Sequence, residues 1–199
     1  MLVSNDIDIY AGQTKITKVY NGTNVVYGGE EPIPYTQLQY LESTGYQYIN
    51  TGFSATINTK IEINFQYTEN TKSNKTRIFG SRRDWNLNGF YAGTANNAVG
   101  DKYWFLVGDI INDRWRASSL NADKNKHNLI LSKEGAFMDG TNIWTPMDVV
   151  SSFPSYSTIA LFGAFEGANQ EIQKGTVRIY NCKICTHDRR RSGLRCNLL

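Results

Sequence analysis

The segment Ile61-Glu62-Ile63-Asn64-Phe65-Gln66-Tyr67 carries an apolar side chain at every second position and a polar one between. Successive side chains of an extended chain point to opposite sides, so a period of two describes a strand with one buried and one wet face. Val177 and Ile179, alternating with Arg178 and Tyr180, repeat the pattern far along the chain. Such strands need ladder partners beside them and a second layer over their dry side. Short apolar runs broken by turn residues recur at 38–42, 46–50, 60–67, 76–81, 89–92, 102–107, 114–118, 126–132, 136–138, 158–165 and 176–184. No amphipathic helix longer than two turns competes with them. The spacing predicts an all-β chain, a two-sheet antiparallel sandwich from Tyr35 onward.

Two turn signals fix local registers. Ile16, Val19, Val25 and Val26 flank Asn21-Gly22, a pair that tolerates the positive φ angles of a tight hairpin turn. The run Ala136-Phe137-Met138 enters Asp139-Gly140 in the same manner. After the first hairpin, Gly28-Gly29-Glu30-Glu31-Pro32-Ile33-Pro34 has the glycines, charges and prolines of a linker. Residues 1–33 are therefore expected to be a small N-terminal hairpin and linker. An isolated hairpin is marginal in water, so it is expected to serve attachment or oligomerisation, for example in a trimer.

Composition narrows the partners. Hydrophobic residues make up 40% of the chain, enough for a packed core and too many for a disordered polymer. The net charge of +3 comes from Arg189, Arg190, Arg191 and Arg195 set against Asp188, and the remainder is balanced. A phosphate-tracking groove needs basic residues clustered over the folded body, so nucleic acid is not an expected partner. No run of 18 apolar residues is present, and no membrane insertion is expected. The start, MLVSNDIDIY, lacks a basic segment followed by an apolar one. With no signal peptide visible, an exterior location would require host lysis or assembly into a particle.

Several segments carry a family resemblance. PYTQLQYLESTGYQYINTGF (34–53) resembles the opening strand pair of concanavalin A-like, or laminin-G-like, jelly-roll domains of phages and gut bacteria. KTRIFGSRRD (75–84), HNLILSKEGAFMDGTNI (127–143), STIALFGAFEG (157–167) and GTVRIYNCKI (175–184) resemble later strands of the same domains. KITKVYNGTNVVYGG resembles a short module that precedes the domain in phage structural proteins. The resemblance implies a jelly roll in a tail or head-decoration protein, made in the host cytoplasm and carried in the virion. It implies recognition of a surface glycan or cell-surface protein, with other virion proteins as neighbours. A purely architectural decoration role is the alternative. The chain departs from the family after Cys185, where THDRRRSGLRCNLL has no strand alternation. Residues 186–199 are expected to form a basic, poorly ordered tail left by truncation or a frame change.

Chemistry-bearing residues are sparse. A glycosidase needs two carboxylates roughly 5 Å apart when it retains configuration. Glu62 is followed on its own face by the amides Asn64 and Gln66, so no catalytic pair is expected there; Glu62 and Glu166 are the residues that a polysaccharide-degrading alternative would use. His127 and His187 are the only histidines, no Gly-x-Ser-x-Gly occurs, and His127 reads as a solvated strand-edge residue. Asp84, Asp101, Asp109 and Asp113, in the turn-rich stretch 82–123, are candidate calcium ligands, although turn aspartates commonly bond their own backbone. No other cofactor is expected. Cys182 and Cys185 form Cys-x-x-Cys without a second pair, and three residues along a strand put them on opposite faces, which reads as two free thiols. The candidate ligand site is Arg82, Arg83, Asp84, Trp85, Asn86 and Asn88, with Tyr91 and Trp115. Aromatic rings stack on the C–H faces of sugars while polar neighbours bond the hydroxyls. Trp85 fits core and site equally, whereas Trp104 and Trp144 read as core.

Overall fold

A computed structural model describes residues 9–11, 14–16, 19–21, 24–27, 38–69, 76–84, 87–94, 101–108, 116–146, 153, 157–166, 171–188 and 193–198, with backbone alone at 9–27, 83–84, 87–88, 116, 166, 171–173, 187–188 and 193–198. The chain divides into two units, Met1–Leu38 and Gln39–Leu199. In the first, β1 (Ile9–Ala11) pairs with β2 (Thr14–Ile16), and β3 (Val19–Asn21) pairs with β4 (Asn24–Tyr27). A hairpin forms across this segment with Asn21 opposite Asn24, one residue on from the Tyr20–Thr23 pairing that Asn21-Gly22 at the turn centre would set; the pair β1–β2 has no counterpart in the sequence reading.

The second unit is a sandwich of two sheets, antiparallel apart from one short parallel pairing, with no helix among the described residues. One sheet contains β5 (Leu41–Thr44), β7 (Lys60–Tyr67), β12 (His127–Ser132), β13 (Gly135–Met138), β14 (Thr141–Trp144), β18 (Thr176–Asp188) and β19 (Gly193–Leu198). The other contains β6 (Ile49–Ser54), β8 (Arg77–Asp84), β9 (Leu87–Thr94), β10 (Lys102–Gly108), β11 (Arg116–Asn121), β15 (Thr158–Leu161), β16 (Gly163–Glu166) and β17 (Glu171–Lys174). We call them the seven-stranded and eight-stranded sheets.

The alternation that defines β7 is realised in full. Ile61, Ile63, Phe65 and Tyr67 are buried, and Lys60, Glu62, Asn64 and Gln66 lie on the other face. Leu129 and Leu131 of β12 and Val177, Ile179, Cys182 and Ile184 of β18 extend the same inner face. Phe90, Ala92, Tyr103, Phe105, Val107, Ile159 and Leu161 answer from the opposite sheet. Aromatic rings stitch the layers: Phe65 meets Tyr103 at 6.1 Å between centroids, and Phe105 meets Trp144 at 5.8 Å. Tilted and edge-to-face pairs at these separations add to simple burial. Trp144 is thus core, as expected. Trp104 is not: with Tyr103 and Phe105 turned inward, period two turns Trp104 to the other face of β10, where it is half-buried.

Other departures have local causes. Asp139 and Gly140 both take positive φ (51° and 82°) and join Met138 to Thr141, so the expected turn forms and a further strand, β14, follows it. The single run expected over 158–165 is two strands, because Phe162 adopts φ 62°. Its side chain enters the core, its N–H donates to Ile78 and its carbonyl accepts from Gly175, which together hold a conformation unusual for a bulky residue. The strand expected to end at Ile184 continues to Asp188 and pairs with β19, so 193–198 is a strand where no alternation predicted one. Cys185 is disulfide-bonded, not a free thiol, and its ladder partner is Cys196. Cys182 is free on the opposite, buried face, and burial pushes its thiol up to about 12.

Candidate functional site

The cluster expected around 82–91 is only partly within the described side chains. Arg82 on β8 and Tyr91 on β9 do come together: the Arg82 guanidinium carbon lies 5.9 Å from the Tyr91 ring centroid, and that of Arg77 lies 4.8 Å from it. Arg77 Nη1 also donates to the Thr94 carbonyl at 2.9 Å. Tyr91 and Arg82 are 0% and 2% exposed, however, so in this arrangement neither presents a face to solvent. The side chains of Arg83, Asp84, Trp85, Asn86, Asn88 and Trp115, and those of Asp109 and Asp113, lie outside the described residues. Asp101 is half-buried and its carbonyl accepts from Ala122. Among the described residues no group of three or more His, Cys, Asp or Glu side chains is placed to hold a metal.

A second constellation, absent from the sequence reading, lies on the outer face of the seven-stranded sheet. Its centre is a bulge in β18. The ladder to β7 pairs Ile179 with Phe65 and Asn181 with Asn64, leaving Tyr180 as the extra residue. Ile179 and Cys182 both enter the core, so the two residues between them, Tyr180 and Asn181, are carried to the outer face together. Bulges commonly re-aim side chains in this way. Tyr180 Oη donates to Gln66 Oε1 at 2.6 Å, and Gln66 Nε2 donates to the Lys124 carbonyl at 2.8 Å. Lys126 Nζ sits 3.8 Å from the Tyr180 ring centroid, and Tyr40 meets that ring edge-on at 5.6 Å. Arg178 lies 4.7 Å over Tyr40 while its Nε donates to Glu42 Oε2 at 2.7 Å. Beside this group, Asn128, Asn64 and Asn181 form a row across three adjacent strands, with Asn128 Nδ2 donating to Asn64 Oδ1 at 3.0 Å. The result is a surface of two tyrosine rings, two cations and four amides. A faint signal existed: Tyr180 and Gln66 occupy wet positions in their alternations, and an aromatic ring on a wet face calls for a reason.

The loop that supplies Lys124 and Lys126 is clamped from below. His127 Nδ1 lies 2.6 Å from Asp139 Oδ2, and its Nε2 lies 2.9 Å from Asp123 Oδ1. Asp139 Oδ1 also accepts the Asn128 N–H, so the Asp139-Gly140 turn serves twice. Carboxylates only accept, so two of them facing both ring nitrogens suit the doubly protonated cation. His127 is therefore no freely solvated edge residue. Burial against Phe65 and Tyr103 opposes its charge, but the bonds to Asp139 and Asp123 outweigh that and raise its pKa above the usual 6.5. Partial burial likewise works against Asp123 and Asp139. Bonds from the Asn125 backbone to Asp123, from the Asn128 backbone to Asp139, and from His127 to both prevail, lowering both carboxyls below their usual 3.8.

The signs give a pH window. A raised histidine contributes fully below 6.5 and loses its contribution as pH rises through the folded-state value; the lowered carboxylates contribute fully above 3.8 and lose theirs as pH falls through their folded-state values. Stability from this clamp is accordingly greatest between 3.8 and 6.5. Urea midpoints recorded against pH are expected to fall from pH 6 to pH 9, and the fall should shrink in His127→Gln. Parallel profiles for the two proteins would contradict the clamp.

No family model matches the chain, and no curated protein or solved structure does either.

Proposed function

We propose that the chain is a non-catalytic recognition module of a phage particle, in which the sandwich holds a host-surface glycan or protein. The reading draws on the family resemblance of 34–185, and the observation that carries it is the outer-face array at the β18 bulge. Its rings are already oriented, since Tyr180 is tethered through Gln66 and Tyr40 is flanked by Arg178. Side chains held before a ligand arrives lose little freedom on binding, which is how such surfaces gain affinity. Glu62, on the same face of β7, has Lys60 and Asn64 as its neighbours along the strand, and the array's own carboxylate, Glu42, is paired with Arg178, so the reading is adsorption without bond cleavage.

A glycan array and a panel of intact bacterial cells probed with the labelled full chain test this. Binding to a subset of targets, weakened roughly tenfold or more by Tyr180→Ala, is expected, as the substitution removes the anchor about which Tyr40, Gln66 and Lys126 are arranged. No binding to any glycan or cell would overturn it.

Architectural decoration of a capsid or tail is the second reading. It is favoured by an exposed apolar stretch around β5 and β6, where Leu41, Tyr46, Tyr48 and Ile49 are 37–79% exposed. Patches of this kind often mark contacts with neighbouring protein. A stable trimer in solution that binds no glycan or cell would favour it.

A further inference from the structure

We infer that the outer-face array takes a carboxylate-bearing oligosaccharide, with Lys126 meeting the acid and the asparagine row meeting the hydroxyls. The inference rests on the recognition reading above and deepens it. Of the two cations, Arg178 is already paired with Glu42. Lys126 is exposed and lies over the Tyr180 ring, and among the described residues no carboxylate pairs with it. An ammonium group has three donors, and the ring beneath uses the charge without accepting a conventional hydrogen bond. A ligand carboxylate is the partner that completes it. Two acids of the same region are otherwise engaged: Asp123 and Asp139 bond His127.

The rest of the surface selects a sugar over an acidic peptide. Asn128, Asn64 and Asn181 each offer a donor and an acceptor, as sugar hydroxyls do, and Tyr40 adds an exposed apolar ring. A peptide bound by strand addition needs an open ladder edge. Under the array, β12 and β7 are paired on both sides, and the far side of β18 is taken by β5 over 176–179 and by β19 over 183–188, which leaves a gap too short to seat a strand. The bulge has a purpose on this account: without it, Tyr180 and Asn181 could not face outward together.

The test uses the full chain and three acidic probes, an oligogalacturonate, a hyaluronan tetrasaccharide and an oligosialate, each beside its methyl ester. The ester keeps the sugar and removes the charge. At least one acid should bind about 10–100-fold more tightly than its ester, the range for a hydrogen bond to a charged group. Lys126→Ala should erase that difference, Lys126→Arg should keep most of it, and Lys133→Ala, at the distant 132–135 turn, should leave it unchanged. Raising the salt concentration should weaken the acid and not the ester. Equal affinity for acid and ester, or an unchanged Lys126→Ala, overturns the inference while leaving recognition intact. Binding of no acidic probe also overturns it; the glycan array and cell panel then decide the recognition reading separately. Thermal melting of each variant shows whether the exposed substitution leaves the fold in place.

Discussion

Phe65→Ala should cost about 3–5 kcal/mol of folding stability, the usual range for emptying a fully buried aromatic site. Phe65 is 0% exposed and sits where the two sheets meet. Its ring contacts Tyr67 at 5.5 Å, Tyr103 at 6.1 Å and His127 at 6.0 Å between centroids. Removal leaves a void lined by rings that cannot collapse without moving β7 or β10, and it takes away one wall of the histidine clamp. Thermal melting should drop by roughly 10 °C or more for a chain of this length. Glu62→Ala, three residues away on the wet face of the same strand, should change stability by no more than about 0.5 kcal/mol. A Phe65→Ala loss below about 1 kcal/mol would mean that the sheets do not pack through this residue.

Gly80→Ala should be more damaging still. Gly80 lies in β8 at φ 155°, opposite Tyr91 of β9. A Cβ there would lie 2.1 Å from the Tyr91 Cβ and 2.8 Å from its Cα. Neither atom can swing aside as a flexible side-chain tip does, so the added methyl must push two hydrogen-bonded strands apart. A loss above about 4 kcal/mol is expected, the range reserved for changes that break packing outright, and little folded protein should be recovered. Gly52→Ala is the matched control. Gly52 also has positive φ (69°), but nothing lies within 4 Å of the added atom. Its cost should be limited to the left-handed conformation, about 1–2 kcal/mol. Equal losses in the two variants would contradict the close approach of β8 to β9.

The parts of this fold that could be read from the chain are those fixed by local rules. Period two sets the limits of β7 at Lys60 and Tyr67, because a strand buried on one face shows its register in every residue. Asp139-Gly140 announces its turn because few residues accept positive φ twice in succession. Strands β14, β17 and β19 were not legible. TNIW and EIQK are short, GLRCNL shows no alternation, and each is tied to a neighbouring strand by its ladder.

The site was harder to read, for a different reason. Arg82 and Tyr91 read in the sequence as ligand-binding residues because polar-aromatic clusters suit sugar hydroxyls and C–H faces. Inside the protein the guanidinium lies beside an aromatic ring, an arrangement that depends on the β8–β9 pairing and leaves no mark on the residues nearby. The outer-face array is more distributed. Arg178 bonds a residue 136 positions away and Tyr180 one 114 positions away. The bulge that turns Tyr180 outward exists only as a mismatch between two strands. A pattern within one strand carries no record of its partner's count.

The central claim is that ligands meet the outer face of the seven-stranded sheet at the β18 bulge. Amide chemical-shift mapping of the isotope-labelled full chain, titrated with the strongest glycan from the array, tests it most directly. The account predicts that the largest shifts fall on Tyr40, Asn64, Gln66, Lys126, Asn128, Arg178, Tyr180 and Asn181. Shifts concentrated instead on residues 82–91, with the β7 and β18 amides unmoved, would contradict it.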